Sequence, residues 1–305
     1  MIPLLLIYKI LQLFVAMVIG FGLVKLRLVK SEDSLALSRV SLYILMPCAI
    51  INSFNISITP EIVSGLILSF ASGFVMHVLF IVIDIIFRKV ARASAVERAS
   101  VFYSNAANLI IPIVSFVLGG EWVIYSLGFM TVQLILIWSH GIGIFEPSGG
   151  VRLKKILLNP CIIAIAIGLC LMIFGIRLPE FVSDITASFS GVLGYVGMLI
   201  AGMTAAKLDF KKFLKSKRLY MTVAMRVIVC PAIVLGLIKI ALLFVTLPNA
   251  NSILFISFLS ATTPTAATIM QLAQIYDTEV DYSVAINILG TVVSCATIPL
   301  FVLMF

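Results

Sequence analysis

Two short stretches of this 305-residue chain place uncharged polar side chains beside a proline inside long apolar segments. The first runs from Tyr103 to Pro112 and contains the carboxamides Asn105 and Asn108. Carboxamides donate and accept hydrogen bonds, and two of them three residues apart share one helix face, where they can hold a polar ligand or bond to a neighbouring helix. Because proline has no N–H for the helical ladder, we predict a kink or local unwinding at Pro112.

The second stretch surrounds Pro264, which lies 152 residues after Pro112, about half the chain length. Thr263 precedes this proline and Gln271 follows it at helical spacing. Threonine hydroxyls can bond to carbonyls of their own helix, so repair of the interruption is an alternative to ligand binding for Thr263. Interrupted helices at corresponding positions of two halves indicate the binding site of a repeat-built secondary transporter. The predicted substrate-binding residues are Asn105, Asn108, Pro112, Thr263, Pro264 and Gln271.

The composition predicts an integral membrane protein. The chain is 62% hydrophobic and 11% charged, with a mean hydropathy of +1.22. The net charge of +8 does not indicate nucleic-acid binding, because the basic residues cluster in short loops without an aromatic-basic patch. The five cysteines all lie in apolar segments and lack metal-ligand spacing, which favours packing roles over disulfides or metal binding.

Hydropathy windows predict an all-α fold of ten transmembrane helices. We divide the chain into repeats at 1–145 and 146–305, with five helices each, forming one integral membrane unit. An odd number of helices per half requires the second half to be inverted. The first segment lacks a basic start and a small-residue cleavage site, so we interpret it as a retained span rather than a signal peptide. The ten predicted spans are 4–24, 35–53, 61–87, 99–118, 121–141, 158–176, 186–206, 219–245, 251–274 and 282–303.

The asymmetry of basic residues predicts the orientation of these spans. Sixteen of the 21 Lys and Arg residues lie in alternate loops, whereas the opposite loops hold Arg177 alone. Because loops rich in Lys and Arg stay in the cytoplasm, we expect a multi-pass plasma-membrane protein with both termini outside. The predicted cytoplasmic loops are 25–30, 88–98, 152–155 and 207–218.

Ionisable residues inside the spans favour an anionic substrate. No Asp or Glu lies near the middle of a span, which argues against a carboxylate site for cations or an acidic proton relay. Arg226 lies about 12 Å into the eighth span and is the predicted cation of the cytoplasmic vestibule. His77, near the middle of the third span, is the candidate for proton coupling, with burial as a neutral ring the alternative. Lys9 and Asp84 are expected to reach the membrane surface by snorkelling.

Known catalytic patterns are absent from the sequence. It contains neither His-Glu-x-x-His nor Gly-x-Ser-x-Gly, and Asp84 has no intramembrane aspartate as a partner. An enzyme is therefore not predicted, and no cofactor is implied.

Five short motifs lie along the chain in this order: Leu45-Met-Pro47, Asn105-Ala-Ala-Asn-Leu-Ile-Ile-Pro112, Asn159-Pro160, Ala261-Thr-Thr-Pro264-Thr-Ala-Ala leading to Tyr276, and Thr297-Ile-Pro-Leu300. In their order and spacing over essentially the whole chain, they resemble the auxin efflux carrier family of permeases. One departure is Ile110, where many relatives have glycine before the proline.

The resemblance implies a fold like that of bile-acid sodium symporters and sodium/proton antiporters, in which the interrupted fourth and ninth helices cross. It also implies transport of organic anions, which in similar proteins include malate, malonate and, in plants, auxin. The short loop between the fifth and sixth spans resembles compact microbial members, so auxin itself is not the expected substrate. Similar proteins are often homodimers.

Together these features predict an alternating-access carrier for a small organic anion in the lipid bilayer. A passive anion channel is the alternative, distinguished by its lack of substrate-driven counterflow. The substrate, the direction of transport and the coupling ion, a proton or sodium, stay open at this point.

Overall fold

The computed structural model of the protein describes residues 2–57, 59–146, 153–213 and 215–305. Over these residues the chain is helical, with a single isolated β-bridge and a 3₁₀ turn at Phe210–Lys212. We number the helices α1 (Ile2–Lys25), α2 (Ser31–Ser53), α3 (Pro60–Ala91), α4 (Ala95–Phe102), α5 (Ala106–Val117), α6 (Gly120–Phe145), α7 (Leu153–Leu157), α8 (Pro160–Ile173), α9 (Glu180–Ala205), α10 (Lys217–Ala241), α11 (Ala250–Thr262), α12 (Ala267–Ile275) and α13 (Val280–Met304).

Within the described residues, seven helices are long and apolar enough to cross a membrane: α1, α2, α3, α6, α9, α10 and α13. They coincide with seven of the ten predicted spans. The predicted fourth, sixth and ninth spans contain the shorter apolar helices α5, α8 and α11. The all-helical membrane architecture is therefore confirmed, while the ten-span count and the inverted relation of the halves stay predictions.

Three long helices contain a π-helical turn, at Ser41–Leu45 in α2, Ile137–Gly141 in α6 and Met225–Val229 in α10. Two of these turns are followed two residues later by Pro47 and Pro231. Because a proline provides no N–H to the preceding turn, the ladder is locally rearranged there instead of ending. The turn in α10 contains Arg226, whose role is described below.

The helices pack in two groups. We call α1, α2, α8 and α9 the panel, because α1 packs along α9 and α2 packs against both α8 and α9. Helices α3 to α6 and α10 to α13 form the crossing bundle, in which α3 contacts α6 and α11. In the panel, Gly20 and Gly202 lie against the backbones of Leu199 and Met17, where a Cβ atom would not fit. Small residues of this kind let membrane helices approach closely.

The fourth predicted span is interrupted at residues 103–105, between α4 and α5, rather than at Pro112. Helix α4 begins earlier than predicted because Ser94 and Glu97 form a capping box, each side chain bonding to the other's backbone N–H. Pro112 lies inside α5, and its ring packs against Gly194 of α9. The prediction that the helix is interrupted at Pro112 is therefore wrong. Pro112 removes one hydrogen bond, and a helix that is packed within protein tolerates this loss.

Candidate functional site

The two interrupted helices meet through their backbones. Ser104 and Thr265 form an antiparallel bridge between the extended segments of the two interruptions. The N–H of Asn105 donates to the carbonyl of Pro264 at 2.7 Å, and the N–H of Ala266 donates to the carbonyl of Tyr103 at 2.9 Å. Each unwound segment thus satisfies polar groups of the other, as backbone deep in a membrane requires.

Gln133 of α6 forms hydrogen bonds with the Ser104 groups that the bridge leaves free. Its Oε1 accepts from the Ser104 N–H at 2.9 Å and from the Ser104 hydroxyl at 2.8 Å, while its Nε2 donates to the Ser104 carbonyl at 2.8 Å. The carboxamide therefore takes the place of a neighbouring strand. This role was not predicted, although a glutamine inside an apolar span is a signal that such a group needs a partner.

Side chains of the second interruption bond mainly to backbone. The Thr263 hydroxyl donates to the Ser260 carbonyl at 3.0 Å, which is the carbonyl that Pro264 leaves without an N–H partner. Thr265 donates to the Ser100 carbonyl at 3.0 Å, and Asn287 of α13 donates to the Thr265 carbonyl at 2.7 Å. Repair of the break, one of the two roles predicted for Thr263, is the contact that the structure shows.

Arg226 connects the C-terminal ends of α4 and α11, the two helices that precede the interruptions. The side chain is fully buried, and its guanidinium donates to the carbonyls of Thr263 at 2.9 Å, Val101 at 3.0 Å and Ala261 at 2.6 Å. It also lies 5.7 Å from the ring centroid of Phe80. The cation therefore offsets the partial negative charge of two helix ends. Arg226 was predicted in the cytoplasmic vestibule; burial against these carbonyls places it at the crossing instead.

A cavity of about 120 Å³ lies beside the bridge. The Asn108 side chain donates to Oδ1 of Asn105 at 3.0 Å and faces Gly197 of the panel. The cavity wall thus combines polar side chains of the crossing bundle with residues of the panel, among them the glycine of α9. Its polar lining includes Ser104, Asn105, Asn108, Gln133, Thr268 and Gln271.

The N-terminal ends of α5 and α12 also border this cavity, at Asn105 and at Ala266 to Thr268. Neither helix has a side-chain cap hydrogen bond at this end. Each end carries roughly +0.5 of an elementary charge from its uncapped N–H groups. The site can therefore hold an anion through backbone dipoles and neutral amides.

Comparison with protein families supports a role in transport. A family model described as a membrane transport protein matches the chain twice, over residues 5–154 and 149–302. The chain belongs to this membrane transport family, the auxin efflux carriers. No curated protein matches the chain at a significant level. The resemblance predicted from the motifs is thereby confirmed, and the chain is a multi-pass membrane transporter that contains the family's sequence unit twice.

A second cavity of this transporter, of about 300 Å³, adjoins the first. Four residues line both cavities: Ser38, Ile200, Ala267 and Gln271. The second cavity extends to charged residues at the ends of spans: Lys207 and Glu32, which form an ion pair, and Asp281. We call it the vestibule.

Six residues were predicted to bind substrate. The structure places three of them, Asn105, Asn108 and Gln271, at the first cavity, beside the bridge, which we call the inner cavity. Thr263 and Pro264 are buried behind the cavity wall, where their backbones take part in the crossing. Pro112 is buried against α9, as described above. The structure therefore brings the three carboxamide side chains together at one cavity. Pro112, Thr263 and Pro264 instead contact other parts of the protein.

His77 lies apart from the cavity, within an aromatic cluster. Its Nδ1 lies 2.7 Å from the carbonyl of Gly73, which can only accept, so Nδ1 carries the proton. Nε2 has no hydrogen-bond partner among the described residues, and the ring contacts Phe80, Phe102 and Phe129. These contacts match the buried neutral histidine that was the alternative to proton coupling.

Asp84 does not snorkel, because its carboxylate is buried and paired with Arg98. Arg98 binds its carboxylate through Nε at 2.9 Å and Nη2 at 2.6 Å. His140 lies 3.6 Å from the same carboxylate and 3.0 Å from the hydroxyl of Tyr103, which donates to the Leu136 carbonyl. This network supports α4 from α3 and α6 on the side of the interruption that carries the basic loop.

Proposed function

We propose that this transporter is a secondary active carrier that moves a small organic anion, a carboxylate, across the plasma membrane by alternating access. The observation that supports this most directly is the cavity at the paired interruptions. There, Asn105, Asn108 and Gln271 come together from the two halves of the chain.

Electrostatics favours an anion in this cavity. The C-terminal ends of α4 and α11 are engaged by Arg226, so their partial negative charges are offset. The N-terminal ends of α5 and α12 stay uncapped at the cavity. Among the described lining residues there is no carboxylate that would repel an anion. A carboxylate would accept hydrogen bonds from the helix ends and the carboxamides.

The arrangement of cavities supports alternating access with the site open to one side. The vestibule connects the site to the end that carries the basic loops. On the other side, the interface of α1 and α9 with α5 and α13 is mainly apolar and holds a cavity of about 10 Å³. Movement of the bundle against the panel would open this side and close the vestibule.

The proposed topology has two inverted five-helix repeats, 1–145 and 146–305, with both termini outside. It is supported by the double family match and by the basic loops. Single cysteines placed at 25–30, 88–98 or 207–218 in a cysteine-free variant should resist a membrane-impermeant thiol reagent in intact cells. Labelling of these loops from outside would reverse the proposed orientation. A homodimer and coupling to a proton or sodium are further proposals for the same assembly.

The decisive experiment is transport in liposomes. Purified protein is reconstituted, and uptake of labelled mono- and dicarboxylates is measured with and without proton and sodium gradients. A carrier loads labelled substrate against its gradient when unlabelled substrate is present on the opposite side, whereas a passive channel does not. Absence of uptake for every carboxylate would contradict the proposed substrate class, and flux without counterflow would favour the channel.

A further inference from the structure

Lys9 of α1 is buried although it is charged. The residue is 8% exposed, whereas snorkelling would have left its ammonium in water. Its Nζ lies 3.2 Å from the hydroxyl oxygen of Tyr195 on α9. The same ammonium lies 4.8 Å from the ring centroid of Tyr195 and 5.2 Å from that of Phe116 on α5. Lys9 is therefore held by two aromatic faces and one hydroxyl group.

Among the described residues, no carboxylate lies within ion-pair distance of Lys9. A buried cation without an anion is costly in a membrane, and contact with aromatic faces offsets only part of that cost. Structural lysines in such positions normally pair with a carboxylate or a carbonyl. An anion that reached this position would supply the missing partner.

The position of Lys9 relative to the moving parts supports this inference. Lys9 and Tyr195 belong to the panel, whereas Phe116 belongs to the crossing bundle. The ammonium therefore lies at the interface that must open for alternating access. Gln12, one turn along α1, accepts from the Tyr195 hydroxyl at 3.3 Å and fixes its direction. Beside Lys9, the same interface holds the cavity of about 10 Å³ whose lining includes Ile10, Leu13, Leu109, Ile113 and Met198.

We propose that Lys9, with the Tyr195 hydroxyl, binds a carboxylate of the substrate on the side of the membrane opposite the vestibule. This inference rests on the proposed function, because it assumes an anionic substrate and alternating access. When α5 moves away from the panel, Phe116 leaves the ammonium, which becomes free to donate to a carboxylate oxygen. When the gap closes, Phe116 returns and the ammonium is again covered by aromatic faces.

The test compares Lys9→Gln, Lys9→Arg and wild-type protein in liposomes with uniform orientation. The half-saturating concentration of the best-transported carboxylate is measured separately from each side. Lys9→Gln should raise the value on the side opposite the vestibule about tenfold or more, the effect of one charge-assisted hydrogen bond. On the vestibule side, the change should stay below about threefold, because the inner cavity is intact. Lys9→Arg keeps the charge and should remain within about threefold of wild type on both sides.

Lys239→Gln is the matched control, because this lysine lies in the predicted outer half of its span but is exposed. It should leave both half-saturating concentrations unchanged. If Lys9→Gln does not fold, Lys9→Met, with an unbranched chain of similar length, gives the same readout. Equal changes on both sides, or no change on the side opposite the vestibule, would overturn the role of Lys9 while leaving the proposed function intact. Failure of wild-type protein to transport any carboxylate would overturn both.

Discussion

The N–H of Asn105 and the carbonyl of Pro264, 2.7 Å apart, join two interruptions that lie far apart in the sequence. Pro264 cannot donate a backbone hydrogen bond, but its carbonyl is free to accept one. Asn105 in turn is the residue that precedes α5 and lines the cavity. The backbone pairing therefore fixes a potential ligand-binding side chain relative to the opposite half of the protein.

Replacing Asn108 or Gln271 with Ala should weaken substrate binding. Each change removes an amide that would face the ligand in a site with little water, and leaves a polar group of the substrate unpaired. The expected loss is about 1–3 kcal/mol, or roughly five- to a hundred-fold in Kd. Binding of labelled substrate to purified protein measures the effect, beside thermal unfolding in detergent. Gln274→Ala, one turn beyond Gln271 and exposed, should bind normally.

Thr263→Val separates repair of the helix from ligand contact. The valine fills the same space but cannot donate to the Ser260 carbonyl, so the free energy of unfolding should fall by about 1 kcal/mol. Substrate affinity should change less than in Asn108→Ala, because Thr263 lies behind the cavity wall. Normal stability with a large loss of binding would instead support direct contact between Thr263 and the substrate, as the sequence predicted.

Arg226→Gln should destabilise the protein. Glutamine has two side-chain donors at one site, so at least one of the carbonyls of Thr263, Val101 and Ala261 would lose its partner. A buried unsatisfied carbonyl costs about 1–3 kcal/mol, which a denaturant titration in detergent can resolve. The expected result is earlier unfolding, with Lys217→Gln, exposed at the start of the same helix, as the control. Unchanged stability with altered substrate affinity would instead support the vestibule role predicted from the sequence.

Gln133→Leu tests whether the α6 carboxamide positions the crossing. The substitution keeps the side-chain size but leaves the N–H and the carbonyl of Ser104 without this partner. We expect a loss of about 2 kcal/mol or more in the free energy of unfolding, since each buried backbone group costs about 1–3 kcal/mol. A weaker substrate affinity should accompany it, because the bridge also holds Asn105. Stability and affinity equal to wild type would show that the bridge forms without Gln133.

His77→Gln should leave the pH dependence of transport unchanged. The ring lies among aromatic side chains and does not line either cavity at the crossing. Transport rates measured between about pH 5 and 8, where an unshifted histidine would change charge, give the comparison. A variant that still transports but has lost the response to a pH gradient would instead establish His77 as the coupling residue. Thermal unfolding measures whether the variant is as stable as the unmodified protein.

The sequence by itself determined the membrane class of this protein and the two regions where its helices are interrupted. Both follow from local chemistry: apolar segments of spanning length cannot fold in water, and carboxamides, threonines and prolines within them require special partners. Helical spacing also placed Asn105 and Asn108 on one face, whereas the hydrogen bond between their side chains is seen only in the structure. These conclusions need no knowledge of which segments become neighbours.

Only the tertiary structure decided where the first interruption lies and what its neighbours do. A proline marks one missing hydrogen bond, but the chain unwinds where other groups can replace several. Pro264 and Ala266 bond to the residues on either side of Ser104, and Gln133 bonds to Ser104 itself. Arg226 shows the same dependence on neighbours. Its depth could be counted from the sequence, whereas the carbonyls that hold it come from segments 35 and 125 residues away. The role of a buried polar group is set by such long-range partners, which side-chain type and spacing do not specify.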